Sequence, residues 1–210
     1  INFREEDDQL IGAELVNPDD DILLVSHKGQ TIRFRADDAQ LRPMGRATSG
    51  VAGMKFRAGD SLLSMSVIRA AQIAAEEAGE DVAPQYVFTI TDGGFDKRSR
   101  ISEYRLQSRG GLGIKAMSLA NVERGGLVGA FIVQDGDEIL SITQGGQVVR
   151  SPINEDFRPT GRSTMGVKFV TPKNGDAVAV VARSVEARDE EDEDAEDGPD
   201  EHRADRADDG

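Results

Sequence analysis

An all-β fold of repeated blades is predicted for this 210-residue sequence by three observations. An apolar strand, a glycine turn and a second strand recur three times. A loop rich in arginine and glycine closes each recurrence, and 23 glycines punctuate the chain without a long helical period.

The first copy opens at Asp21 with Ile-Leu-Leu-Val-Ser, turns at Lys28-Gly29, and runs to Gly-Arg-Ala-Thr-Ser-Gly-Val at 45–51. The second opens with Tyr-Val-Phe-Thr-Ile-Thr at 86, turns at Gly93-Gly94, and reaches Ser-Arg-Gly-Gly-Leu-Gly-Ile at 108–114. The third opens with Glu-Ile-Leu-Ser-Ile-Thr at 138, turns at Gly145-Gly146, and reaches Gly-Arg-Ser-Thr-Met-Gly-Val at 161–167. Alternating, β-branched segments at 59–67, 125–133 and 175–182 close the copies. Units of about fifty residues with about four short strands suit blades set around an axis.

The expected organisation is blades at 21–68, 86–133 and 134–184. Asp8 to Val16 resembles a closing strand with no opening half, so residues 1–20 are expected to end a preceding blade. Together with the initial Ile, this suggests a fragment of a longer protein. Arg69 to Pro84 carries Ala-Ala-Gln-Ile-Ala-Ala-Glu-Glu-Ala-Gly, an inter-blade insert over 69–85 that reads as a short helix or loop and explains why the corner arginines 46, 109 and 162 lie 63 and then 53 residues apart.

The net charge of −14 is uneven. Residues 185–210 hold 14 Asp and Glu against 3 Arg, a net of −11, which leaves −3 for the body. That composition predicts a disordered acidic tail. There is no cysteine, no run of apolar residues long enough for a membrane helix and no signal peptide at the start, so a cytoplasmic protein with no membrane partner is expected.

The corner at Gln107, Ser108, Arg109, Gly110, Gly111, Leu112 and Gly113 is the most informative segment. Glycines allow close backbone approach, and a planar guanidinium suits phosphate oxygens. Repetition would put Arg46, Arg109 and Arg162 on one rim. Around them lie Arg33, Arg35, Arg42, Lys55 and Arg57; then Lys97, Arg98, Arg100, Arg105 and Lys115; then Arg150, Arg158, Lys168 and Lys173. A curved basic rim is a track for a duplex, with affinity drawn from counterion release. A surface turn whose glycines satisfy only geometry, on a protein-binding propeller scaffold, is the alternative reading.

Gln-Ser-Arg-Gly-Gly-Leu-Gly at 107–113 resembles the Gln-Arg-Arg-Gly-Gly-Lys-Gly box of the DNA gyrase A family, matching five of seven positions. Leu41 to Gly50 is similar to another corner of that family's C-terminal β-pinwheel, a propeller-like fold. The resemblance covers residues 1 to about 184 and implies a fragment holding the last three blades of a domain that wraps double-stranded DNA, in a type II topoisomerase that introduces negative supercoils. Ser108 and Leu112 replace basic residues of the box, which implies a weaker, auxiliary contact. The related C-terminal domain of topoisomerase IV is the neighbouring possibility. The expected DNA-contacting set is Gln107, Arg109, Gly110, Gly111, Gly113, Lys115, Arg46, Arg162, Lys55, Lys168, Arg33, Arg98 and Arg150.

The resemblance places the nucleophilic tyrosine on another domain, and it implies a gyrase B subunit joined through the missing N-terminal part in an A2B2 assembly, with ATP and Mg2+ used by the complete enzyme. No cofactor or metal is expected in the fragment itself. Tyr86 and Tyr104 read as packing residues, and His27 and His202 are too isolated for a metal site. Gly111, Gly113 and Ala116 match a dinucleotide fingerprint in spacing only, because no long helix follows, and there is no phosphate-binding loop.

Overall fold

The computed structural model describes residues 1–173 and 175–184. The acidic tail at 185–210 lies outside the described residues. The strands are β1 (Asp21–Ser26), β2 (Gln30–Arg35), β3 (Leu62–Ile68), β4 (Gln85–Thr91), β5 (Phe95–Arg100), β6 (Ile114–Lys115), β7 (Leu127–Gln134), β8 (Glu138–Thr143), β9 (Val148–Pro152), β10 (Val167–Lys168) and β11 (Val178–Ser184), with one helix, α1 (Ala70–Ala78). They build three antiparallel sheets, ordered β3-β1-β2-β6, β10-β5-β4-β7 and β11-β8-β9.

Each sheet starts as a hairpin whose register follows from its glycine turn. Leu24 faces Ile32, Thr89 faces Lys97, and Ser141 faces Val149. The closing strand of each copy then returns along the far side of the opening strand. The fourth strand comes from elsewhere. β6 belongs to the second corner but pairs with β2 of the first copy, Thr31 against Ile114. In the same way β10, from the third corner, pairs with β5. Each of the first two blades is therefore completed by the copy that follows it.

Glycine makes this exchange possible. Gly113 and Gly166 hold φ of 71° each, and a Cβ there would meet Thr31 O at 2.1 Å and Asp96 O at 2.3 Å. A left-handed residue without a side chain lets the corner lie on the preceding hairpin at backbone contact distance.

Alternation along the strands supplies both faces of each blade. Leu23 and Val25 pack with Val87, Leu127 and Ala130 between the first two blades, while Ile22 and Leu24 join Phe34 and Met54 on the opposite face. Phe88 and Ile90 turn toward Ile139, Val170 and Val178, between the second and third. Tyr86 and Tyr104 are buried in these layers.

Residues 8–16 form no strand and are exposed. The expected closing strand does not form there: each opening strand among the described residues already pairs with the closing strand of its own copy.

Candidate nucleic-acid interface

The three corners dock on one another in a row. The backbone amide of Arg109 donates to Gln40 Oε1 at 3.0 Å, its Nε donates to Gln40 O at 2.5 Å, and its Nη1 to Ala52 O at 3.2 Å. Every contact recurs one copy later. The Arg162 amide donates to Glu103 Oε2 at 2.9 Å, its Nε to Glu103 O at 3.2 Å, and its Nη1 to Lys115 O. Lys55 N to Gly111 O at 2.8 Å is likewise repeated by Ser118 N to Thr164 O at 3.0 Å.

A second clasp starts from the hairpins. Arg33 Nη1 donates to Ile101 O at 3.2 Å and Tyr104 O at 3.1 Å, and its other nitrogens pair with Asp21. Arg98 repeats the pattern toward Asn154 O at 2.9 Å and Phe157 O, paired with Asp135 and with its guanidinium 4.3 Å from the centre of the Tyr86 ring. The side chains of Arg33 and Arg98 are only 11% and 3% exposed.

Four arginines expected to meet phosphate thus have their donors committed to carbonyl and carboxylate oxygens of the fold. A guanidinium fork suits a pair of carbonyls as well as a phosphate. Arg33 and Arg98 are unavailable to a ligand, and Arg109 and Arg162 hold corner to corner. Gly110, with φ of 77°, donates its amide to Gly53 O at 2.6 Å, and Gln107 N donates to Arg33 O at 2.8 Å, so these groups also serve the docking.

The rest of the expected set faces outward. Arg46, Lys55 and Lys115 are exposed, with no side-chain partner among the described residues. Lys168 is exposed, with Nζ on Gly93 O at 2.9 Å and above the Phe95 ring. Arg150 is exposed and paired with Glu138, Nε to Oε2 at 2.6 Å. Lys115 and Lys168 occupy equivalent places on the exchanged strands β6 and β10, at the same edge of successive blades. Lys97, a neighbour of the third corner, is buried, donates to Gly161 O at 2.9 Å, and is pulled down to about 7 by burial. Sequence reasoning noted Arg42, Arg105 and Arg158 only as neighbours of the corners. All three are exposed, and the missed signal is their constant place four residues before Arg46, Arg109 and Arg162.

The family described as the DNA gyrase C-terminal domain, β-propeller, matches residues 20–69, 85–134 and 137–183. The DNA gyrase A subunit of Nocardioides sp. is 76% identical, with 89% of this chain and 22% of that protein covered. The Streptomyces coelicolor DNA gyrase A subunit is 53% identical over 89% of this chain and 20% of its own length. The chain spans about a fifth of the length of these relatives. Among solved structures, the C-terminal domain of DNA topoisomerase IV matches with a TM-score of 0.73 at 21% identity, covering 87% of this chain and 51% of the other. The DNA gyrase A C-terminal domain matches with a TM-score of 0.64 at 24% identity, covering 81% and 52%. Both share the fold of docked blades, and each matched copy supplies the three main strands of one sheet: this chain belongs to the DNA gyrase C-terminal domain family of β-propellers.

Proposed function

We propose that this chain binds duplex DNA along its row of corners and bends it, as the wrapping part of a gyrase A subunit whose complete assembly introduces negative supercoils. The observation that carries the reading is the repeated clasp, which sets three blades side by side and leaves basic side chains at matching edges. Phosphate neutralisation along such a row releases counterions, and bending 20–30 base pairs costs on the order of 1–6 kcal/mol, which distributed contacts can offset. The identity to DNA gyrase A subunits favours gyrase over topoisomerase IV.

In this reading the cleaving tyrosine, the ATP and Mg2+ chemistry and the gyrase B subunit belong to parts of a cytoplasmic assembly outside this chain. Among the described residues no helix is long and apolar enough to cross a membrane. The DNA-facing set narrows to Arg46, Lys55, Lys115 and Lys168, with Gln107, Gly110, Gly111 and Gly113 shaping the corner and Arg109 and Arg162 holding it. The 14 carboxylates of residues 185–210 compete with DNA from the end of the last blade.

A mobility shift on a duplex of roughly 100–150 base pairs, a length suited to wrapping, should show retention at low salt that fades steeply as salt rises. Ligation of the complexes should then trap a change in linking number. No retention at any salt would favour a protein-binding scaffold.

A further inference from the structure

We propose that Arg42, Arg105 and Arg158 form a repeated contact set for the phosphates of one DNA duplex, one guanidinium per blade. The inference rests on the DNA-binding reading above and specifies where on the corners it operates.

Each corner carries two arginines four residues apart: 42 and 46, 105 and 109, 158 and 162. In the second and third corners the later one is spent inside the molecule, on the carbonyls of the preceding corner. The earlier one is exposed in all three, and among the described residues it has no hydrogen bond, ion pair or ring contact. This contrasts with Arg69 and Arg150, exposed arginines that each pair with a carboxylate of the body. With 25 acidic against 22 basic residues in that body, carboxylates are abundant, yet all three equivalent positions lack one.

Their placement follows from the clasps. Arg42 lies two residues after Gln40, which receives Arg109; Arg105 lies two residues after Glu103, which receives Arg162. Arg42 and Arg105 therefore stand beside the joints where the next corners dock, and Arg158 holds the same place in the third corner. A duplex following that row meets the three in succession. A planar guanidinium presents paired donors to a phosphate at little entropic cost.

The test uses the full 210-residue chain and a duplex of roughly 100–150 base pairs, with affinity measured against salt for wild type, R42Q/R105Q/R158Q and R42K/R105K/R158K. The glutamine variant should reduce the magnitude of the log–log salt slope by roughly 2.7, three contacts at about 0.9 each, and bind about tenfold more weakly near 0.1 M salt. The lysine variant should keep most of the slope. Thermal midpoints should stay together, because none of the three side chains has an internal partner. A glutamine variant with wild-type slope and affinity would overturn the inference. If that variant melts early, phenylglyoxal modification of the wild type decides: bound duplex should protect these three arginines, and equal modification with and without DNA overturns it. Failure of the wild-type chain to retain DNA at any salt would instead remove the function on which the inference rests.

Discussion

The second and third blades come from the same repeat but differ in burial. β4 is buried along nearly its whole length, whereas β9 alternates between exposed and half-buried and β11 is largely open. The second blade has a neighbour on each face and the exchanged strand β10 along its edge. The third has a neighbour on one face, and Val148 and Val180 on the other are 59% and 54% exposed. Identical patterning thus yields a core strand or a surface strand according to what stacks beside it, as expected when stability is a sum over units and their interfaces.

The largest test of this contrast is Phe88→Ala against Val148→Ala. Phe88 is fully buried, with its ring centre 5.3 Å from that of Phe131 and 6.1 Å from that of Phe157. Its truncation should cost about 3–5 kcal/mol in denaturant unfolding, and that of exposed Val148 less than about 0.5 kcal/mol. Equal costs would mean that the third blade is buried in solution.

Next in size is the exchange joint. Gly166→Ala and Gly113→Ala each set a methyl against a backbone carbonyl at positive φ, and each should cost on the order of 3 kcal/mol. The matching change at Gly146, with φ of 82° but open space around it, should cost only the backbone strain, about 1–2 kcal/mol.

A smaller, opposite effect is expected at Asp96. Both its carboxylate oxygens are buried without a partner among the described residues, and burial pushes its pKa up to about 8. The folded protein keeps this proton where the unfolded chain has lost it, so the stability it confers is full below about pH 4 and is lost as pH rises through about 8. Thr31, at the same place in the first blade, donates its hydroxyl to Leu24 O at 2.9 Å. Asp96→Thr should therefore stabilise the protein by about 1–3 kcal/mol at pH 8 and flatten the fall between pH 5 and 8, as read from melting against pH. Any loss of stability at pH 8 would show that the carboxyl is better satisfied than its surroundings indicate.

The strands and turns were legible because period-two alternation and glycine turns are local features. Asp8 to Val16 carries the same alternation and forms no strand, because alternation records that a segment can be a strand and does not choose its partner. The two-residue strands β6 and β10 left no pattern, since their pairing depends on backbone fit to a hairpin more than sixty residues away. The corners were found, but the roles of their arginines were not. A guanidinium serves a carbonyl pair as readily as a phosphate, and only the fold shows that Arg109 is occupied while Arg105 is free.

Strand exchange makes the unit of inheritance different from the unit of architecture. An excision at a sequence boundary, after Gln134 for example, would strip β10 from the blade before it and leave β5 with a raw edge. Duplicating one repeat does the reverse, adding a blade while mending the flank of its predecessor. Arrays built this way can lengthen by copying a single segment, yet losing the last copy wounds the blade before it, whereas losing the first leaves the later sheets whole.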